Sequence, residues 1–285
     1  EVAMGTLTPF GFDIQKIRPH KGQYIVAKNF QMLCKGSEIM KSHKKCNRIQ
    51  DAYTLRCIPQ VHGAVRNAVE YCVKQVEIEI NSVTDNPLIF PETGEVKSGG
   101  NFHGEPIALT MDFLAIAVSE LGNISERRTF KLLTPEINEG LPPFLIGSKE
   151  VGLNSGLMIT QYTAASLVAE NKVLAHPVSV DSIPTSANQE DHVSFGTIAA
   201  NKCRKVIDNV ESIMAIELLC GTQAAEFRKP LKLGRGTRLA YETVRKQVFV
   251  LKEDRELYPD ILNICTIIKQ GNIIDELREV NINLQ

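Results

Sequence analysis

The sequence predicts an all-α protein, an elongated bundle of long helices with a small irregular or short-strand excursion near residues 82–104. Three observations carry that expectation. Apolar residues recur at spacings of three and four through windows of about twenty residues or more, which is the helical period. Prolines and turn residues gather at the ends of those windows. The chain has 285 residues, 43% of them hydrophobic, enough to bury a sizeable core. A single mainly helical domain is expected, with an irregular opening at 1–50, long core helices at 51–230 and closing helices at 231–285.

In the opening, Pro9, Gly11, Pro19 and Gly22 break the pattern, and Ile25 to Met32 predicts a short amphipathic helix. Ser37 to Asn47, with Lys41, Lys44 and Lys45, reads as a solvated loop or face. A helix is expected from Tyr53, with a bend or start near Pro59 and a stripe of Val61, Val65, Val69, Val73, Val76 and Ile80. Thr84-Asp85-Asn86-Pro87 is a turn, and Leu88-Ile89-Phe90 a short strand between turns. Pro106 suits a helix's first turn, where its missing N–H costs nothing. That helix carries Ile107, Met111, Leu114, Val118, Leu121 and Ile124 and ends at Glu126-Arg127-Arg128. Another runs from about Gly156 to Ala175. The longest, about Val193 to Phe227, has a stripe of Ile198, Val206, Ile207, Val210, Ile213, Met214 and Leu218, with alanines that allow close neighbours. Helices at about 237–251 and 259–279 close the chain. Stripes of this length need partners along them, so an oligomer is expected.

A net charge of −1 gives no reason to propose nucleic acid as partner. No uninterrupted apolar run reaches bilayer length, so no membrane partner is expected. The seven cysteines are odd in number and form no CxxC pair, which suits reduced thiols in a cytoplasmic protein. The chain opens on Glu1, with no basic-then-apolar leader, and the expectation is the later part of something longer. Metal chemistry is not expected. None of the six histidines forms HExxH. His103-Gly104-Glu105 begins a zinc deaminase signature but lacks its P-C-x-x-C. There is no P-loop and no G-x-S-x-G elbow.

Four polar segments interrupt the apolar helices: Gln50 to Arg56, Thr84 to Pro87, Gly100 to Glu105, and Ser182 to His192. The last packs amides, two carboxylates and an imidazole between two apolar helical patterns. In the first, Tyr53 and Arg56 are three apart and share a helical face, by itself an ordinary pairing. An arginine there can grip a carboxylate with two hydrogen bonds, and its charge would favour the tyrosine's phenolate.

In order along nearly the whole chain, Gln50-Asp51-Ala52-Tyr53-Thr54-Leu55-Arg56-Cys57, Thr84-Asp85-Asn86-Pro87, Ser98-Gly99-Gly100-Asn101-Phe102-His103-Gly104-Glu105, Ser125-Glu126-Arg127-Arg128, Gly152-Leu153-Asn154-Ser155-Gly156 and Ser186-Ala187-Asn188-Gln189-Glu190-Asp191-His192-Val193-Ser194 resemble the aromatic amino acid ammonia-lyase family. Within it they are most similar to the branch acting on L-histidine. The resemblance implies a long-helix bundle of the ammonia-lyase/fumarase-like type, assembled as a homotetramer with shared active sites. It implies elimination of ammonia from L-histidine to give trans-urocanate, a step of histidine degradation. It further implies Tyr53 and Glu190 as catalytic residues, Arg56 on the substrate carboxylate, Gln50 and Asn86 lining and orienting the site, and Phe102 lining the pocket. Glu190 carries the substrate expectation. A carboxylate pairs with imidazole but is costly beside a phenyl ring, and the phenylalanine-type enzymes of the family carry Gln there.

The family's electrophile, 4-methylidene-imidazol-5-one, forms autocatalytically from Ala-Ser-Gly. That tripeptide is not in this chain: Ala165-Ser166 is followed by Leu167. The expectation is therefore the C-terminal part of such an enzyme, inactive without its N-terminal part. Phe195 stands where the pattern has Met, a conservative change. Two alternatives stay open: a phenylalanine or tyrosine ammonia-lyase or aminomutase, and a non-catalytic helical assembly module.

Overall fold

A computed structural model describes residues 1–44, 48–147 and 152–285. Eleven α-helices, three single-turn 3-10 helices and one two-stranded hairpin make up the regular structure among them. In chain order these are α1 (Phe12–Ile17), α2 (Lys21–Leu33), α3 (Glu38–Ser42), α4 (Tyr53–Arg56), α5 (Ile58–Glu79), β1 (Leu88–Phe90), β2 (Glu95–Lys97), α6 (Glu105–Leu133), α7 (Met158–Leu174), α8 (Gly196–Glu226), α9 (Arg235–Arg245), α10 (Tyr258–Gln270) and α11 (Asn272–Glu279). The all-α long-helix expectation holds, and the excursion at 82–104 is a hairpin pairing Leu88 with Lys97, Ile89 with Val96 and Phe90 with Glu95.

The axis is the pair α6 and α8, of 29 and 31 residues, each about 45 Å long at a rise of ~1.5 Å per residue. Val206, Val210 and Ile213 of α8 are buried, as their spacing predicts, with Ala115 and Val118 of α6 beside the first two. The backbones approach closely at Gly122, where a Cβ would lie 3.1 Å from Ile213 Cδ1 and 3.2 Å from Val210 Cγ2. Buried Ala199, Ala215, Ala224 and Ala225 serve the same end on α8. By length and composition α6 is apolar enough to cross a membrane, but here its rails pack on α5, α7 and α8.

Several boundaries correct the sequence reading. The helix expected from Tyr53 breaks at Cys57 into α4 and α5. The buried rail of α5 is Ile58, Val65, Ala68 and Cys72; Val69, Val73 and Ile80 of the expected stripe are exposed. Periodicity marks an apolar face without saying whether the same chain covers it. α6 runs on past Arg128 to Leu133, because nothing breaks it before Thr134-Pro135, where the residue preceding proline turns extended. The expected helix at 259–279 splits at Gly271, whose φ of 72° ends α10 in a left-handed cap. α9 stops at Arg245, and Val248 and Leu251 are buried from the loop beyond.

The opening is more helical than expected. Gly22 and Gly63 let α2 lie directly on α5: a Cβ on Gly22 would be 2.2 Å from the Gly63 carbonyl oxygen. The solvated reading of Ser37–Asn47 is corrected through Lys44. Ser37 caps α3, accepting from Met40 N at 3.0 Å, and Ile39, Met40 and His43 are buried. Residues 45–47 lie outside the described part, as does Cys46; the six described cysteines are free.

Between α2, α5, α8 and α9 opens a largely apolar cleft of about 970 Å³. Its polar lining includes Arg128, which donates to both carboxylate oxygens of Glu217, at 2.8 Å to Oε2, and to His62 Nε2 at 3.2 Å. Burial, helped by the Arg128 charge and opposed by Glu217, lowers the His62 pKa to about 4. Burial alone would raise the Glu217 pKa, but Arg128 more than offsets it and holds the carboxyl below its ordinary value.

Candidate active site

The six residues singled out in the sequence fall into two groups, at opposite ends of α6. Tyr53 and Arg56 form the ends of α4, which is docked by Thr54 Oγ1 donating to the Ile124 carbonyl at 3.4 Å. The Arg56 guanidinium lies 4.7 Å from the Tyr53 ring centroid, over its face. Its Nε donates to the Asp51 carbonyl at 3.1 Å, which steers the fork. Tyr53 is 70% exposed and Gln50 beside it is exposed too. Tyr53 lines a hollow of about 610 Å³ together with Arg127, Lys131 and Glu136. Behind α4, Asp51 Oδ2 accepts from Thr6 N at 2.8 Å and Thr6 Oγ1 at 2.7 Å, tying the opening to this end.

Asn86, Phe102 and Glu190 gather at the other end. Asn86 Oδ1 accepts from Gly99 N at 2.9 Å and Ser98 Oγ at 3.1 Å, closing the hairpin's base. Phe102 precedes α6 and is 52% exposed. Glu190 closes a small loop: Thr185 N donates to its carbonyl at 2.8 Å. Inside that loop Ser186, Ala187 and Asn188 all have positive φ, at 47°, 54° and 68°. Each such residue costs on the order of 1 kcal/mol or more unless its surroundings enforce it. The enforcement is visible. Ser182 Oγ accepts from Val193 N at 2.8 Å and donates to Val193 O at 3.1 Å, clamping the loop's mouth. Buried Asp112 of α6 accepts from Val178 N at 2.7 Å and Ser179 N at 2.8 Å, pinning the approach. Glu190 Oε2 is buried and has no hydrogen-bond partner among the described residues. A buried carboxylate oxygen with no protein partner is costly and is a ready acceptor for a donor brought by a ligand.

Glu105 starts α6 and Ile124 marks the α4 dock, and 124 − 105 is 19 residues, or about 28 Å of helix. The structure thus brings the six residues together as two sets of three, not as one site. Asp112 is a residue that the sequence reading left out. Its one signal is a lone carboxylate inside the apolar run Leu109 to Leu114.

Comparison with known proteins gives this geometry its context. Residues 1–246 match the family model described as aromatic amino acid lyase, and the chain belongs to that family. It is 58% identical over all 285 residues to a histidine ammonia-lyase of Caldanaerobacter subterraneus, covering 55% of that protein. It is 54% identical over 280 residues to the histidine ammonia-lyase of Alkaliphilus metalliredigens, covering 54% of it. Among solved structures, histidine ammonia-lyase from Trypanosoma cruzi superposes with a TM-score of 0.89 at 43% identity, over 98% of this chain and 52% of that one. A tyrosine aminomutase from Streptomyces globisporus gives 0.91 at 36%, over all of this chain and 57% of that one. The chain spans about half the length of the curated relatives it matches.

With the six residues split into two sets about 28 Å apart along α6, one copy of this chain does not fit around a single imidazolone group of the kind the family uses.

Proposed function

We propose that this chain supplies the substrate-facing walls of a histidine ammonia-lyase, which eliminates ammonia from L-histidine to give trans-urocanate. The observation carrying this reading is Glu190: a carboxylate with one buried, unpartnered oxygen, matching in its motif the place that faces the substrate side chain. An imidazole N–H is a donor of the right kind.

The reaction is redox-neutral. A proton leaves Cβ, the Cα–N bond breaks with its electron pair going to nitrogen, and the Cα–Cβ double bond forms. Arg56 holds the substrate carboxylate through its terminal nitrogens, which bond no described residue while Nε is held by Asp51. Gln50, Asn86 and Phe102 line and orient. Tyr53 and Glu190 are the two groups able to hold a proton at the substrate. The methylidene-imidazolone, where bound, supplies the electrophile that makes the amine a leaving group. It comes from the part of the family protein that this chain does not span. The two half-sites about 28 Å apart support a homotetramer in which different copies complete each site. That the six described cysteines form no disulfide with one another is consistent with a cytoplasmic location.

The test is turnover by the full-length protein, with urocanate followed from histidine. Turnover of phenylalanine or tyrosine in place of histidine overturns the substrate assignment.

A further inference from the structure

Outside the six residues, one contact joins the two loops that carry Phe102 and Glu190. His103 and His192, 89 positions apart in sequence, stack with ring centroids 5.4 Å apart at 28°. The backbone N–H of Glu105 donates to His103 Nδ1 at 3.3 Å, so that nitrogen is unprotonated. In the neutral ring the proton then sits on Nε2. That Nε2 lies 3.2 Å from the His192 carbonyl oxygen and 3.4 Å from His192 Nδ1. The N–H donates to the carbonyl, and His192 Nδ1 faces it as a second acceptor. The loops meet closely here: a Cβ on Gly104 would lie 2.8 Å from Ser194 Oγ. His103 directly follows Phe102, and His192 lies two residues beyond Glu190.

We propose that His103 and His192 form an interloop clasp that positions Glu190 against Phe102, making both positioning residues for the lyase reaction. The proposal rests on the function proposed above. The clasp resists the loop's left-handed turn by fixing its C-terminal limb to the start of α6. It acts on how well substrate is seated, so its loss shows chiefly in KM.

The experiment uses the full-length enzyme with Glu190 intact and with Glu190→Gln, each carrying His103→Phe, His103→Gln or neither. His103→Phe removes the donor. His103→Gln keeps an amide N–H at nearly the same reach. In the Glu190-intact enzyme His103→Phe is expected to raise KM for histidine about tenfold, the scale of one lost hydrogen bond, with kcat changed less. His103→Gln is expected to restore most of it. In the Glu190→Gln background His103→Phe is expected to change KM less than twofold, because the group it positions is gone. An unchanged KM in His103→Phe, or an equal effect in both backgrounds, overturns the clasp. If the parent enzyme turns over another aromatic amino acid, the histidine assignment fails by itself, and the same comparison across the two backgrounds on that substrate decides the clasp. Thermal unfolding of His103→Phe identifies a folding defect, in which case the His103→Gln and His103→Met pair, similar in length, carries the test: Gln keeps the donor to the His192 carbonyl and Met does not, and an equal KM in the two overturns the proposal.

Discussion

The two ends of α6 are built by different means. At the Tyr53 end, a four-residue helix sits against Ile124, and Asp51 bonds the opening segment behind it. Side-chain direction there follows from helix geometry. At the Glu190 end no helix carries the candidate residues. A hairpin base, a left-handed turn and a pre-helix loop are held by Asn86, Ser182, Asp112 and the His103–His192 contact. The lesson is that one half-site rests on secondary structure and the other on side chains that bond backbone across long sequence separations. Substitutions should separate them accordingly.

The largest effect is expected at the Tyr53 end. Arg56→Ala in the full-length enzyme should lower kcat/KM on histidine about a hundredfold, the value of a charge-assisted pair of roughly 2–3 kcal/mol. An unchanged kcat/KM would show that this end does not meet the carboxylate. Next, Glu190→Gln should lower histidine turnover between about ten- and a hundredfold while sparing any residual activity on phenylalanine. Equal loss on both would remove the imidazole-facing role. Third, Asp112→Ala should cost about 1–3 kcal/mol in denaturant unfolding, since two half-buried backbone N–H groups lose their buried acceptor. Its KM for histidine should rise, and an unchanged KM would show that the Glu190 loop does not depend on this anchor.

The smallest effect concerns the cleft lined by His62, Arg128 and Glu217. His62 is held neutral, its pKa lowered from 6.5 to about 4. The unfolded chain therefore binds the extra proton first as pH falls. Stability is fully present above pH 6.5 and is lost progressively down to about 4. His62→Gln should flatten that part of the stability profile, measured by urea unfolding at several pH values. A slope unaffected by the substitution would place the loss elsewhere.

How much was legible in the sequence follows the same division. α6 and α8 could be read from their period, because long helices packed on each other leave a strong stripe, though the C-terminal end of α6 lies five residues beyond the expected Arg128. The Tyr53–Arg56 face followed from a spacing of three. The break at Cys57 was not legible, since Cys57-Ile58-Pro59 reads equally as a bend within one helix. Neither was the exposure of Val69 and Val73, because a stripe does not name what covers it. In the Glu190 loop, Ser186-Ala187-Asn188 holds no glycine to announce three positive φ values. Of the partners that enforce them, Ser182 is a serine with no distinguishing local pattern, and Asp112 lies more than sixty residues from the backbone it holds. There only the ordered motif, not local propensity, pointed to a site.

The central claim is that each catalytic site takes its Tyr53–Arg56 half and its Glu190 half from different copies. Mixing full-length Arg56→Ala chains with full-length Glu190→Gln chains, under conditions that exchange subunits, tests it directly. Each variant alone is expected to keep roughly a tenth of the turnover or less, and random mixing gives about a quarter of the sites both intact halves. Recovery of histidine turnover toward that fraction is the predicted result. A mixture no more active than its parents, with subunit exchange demonstrated, would contradict the account.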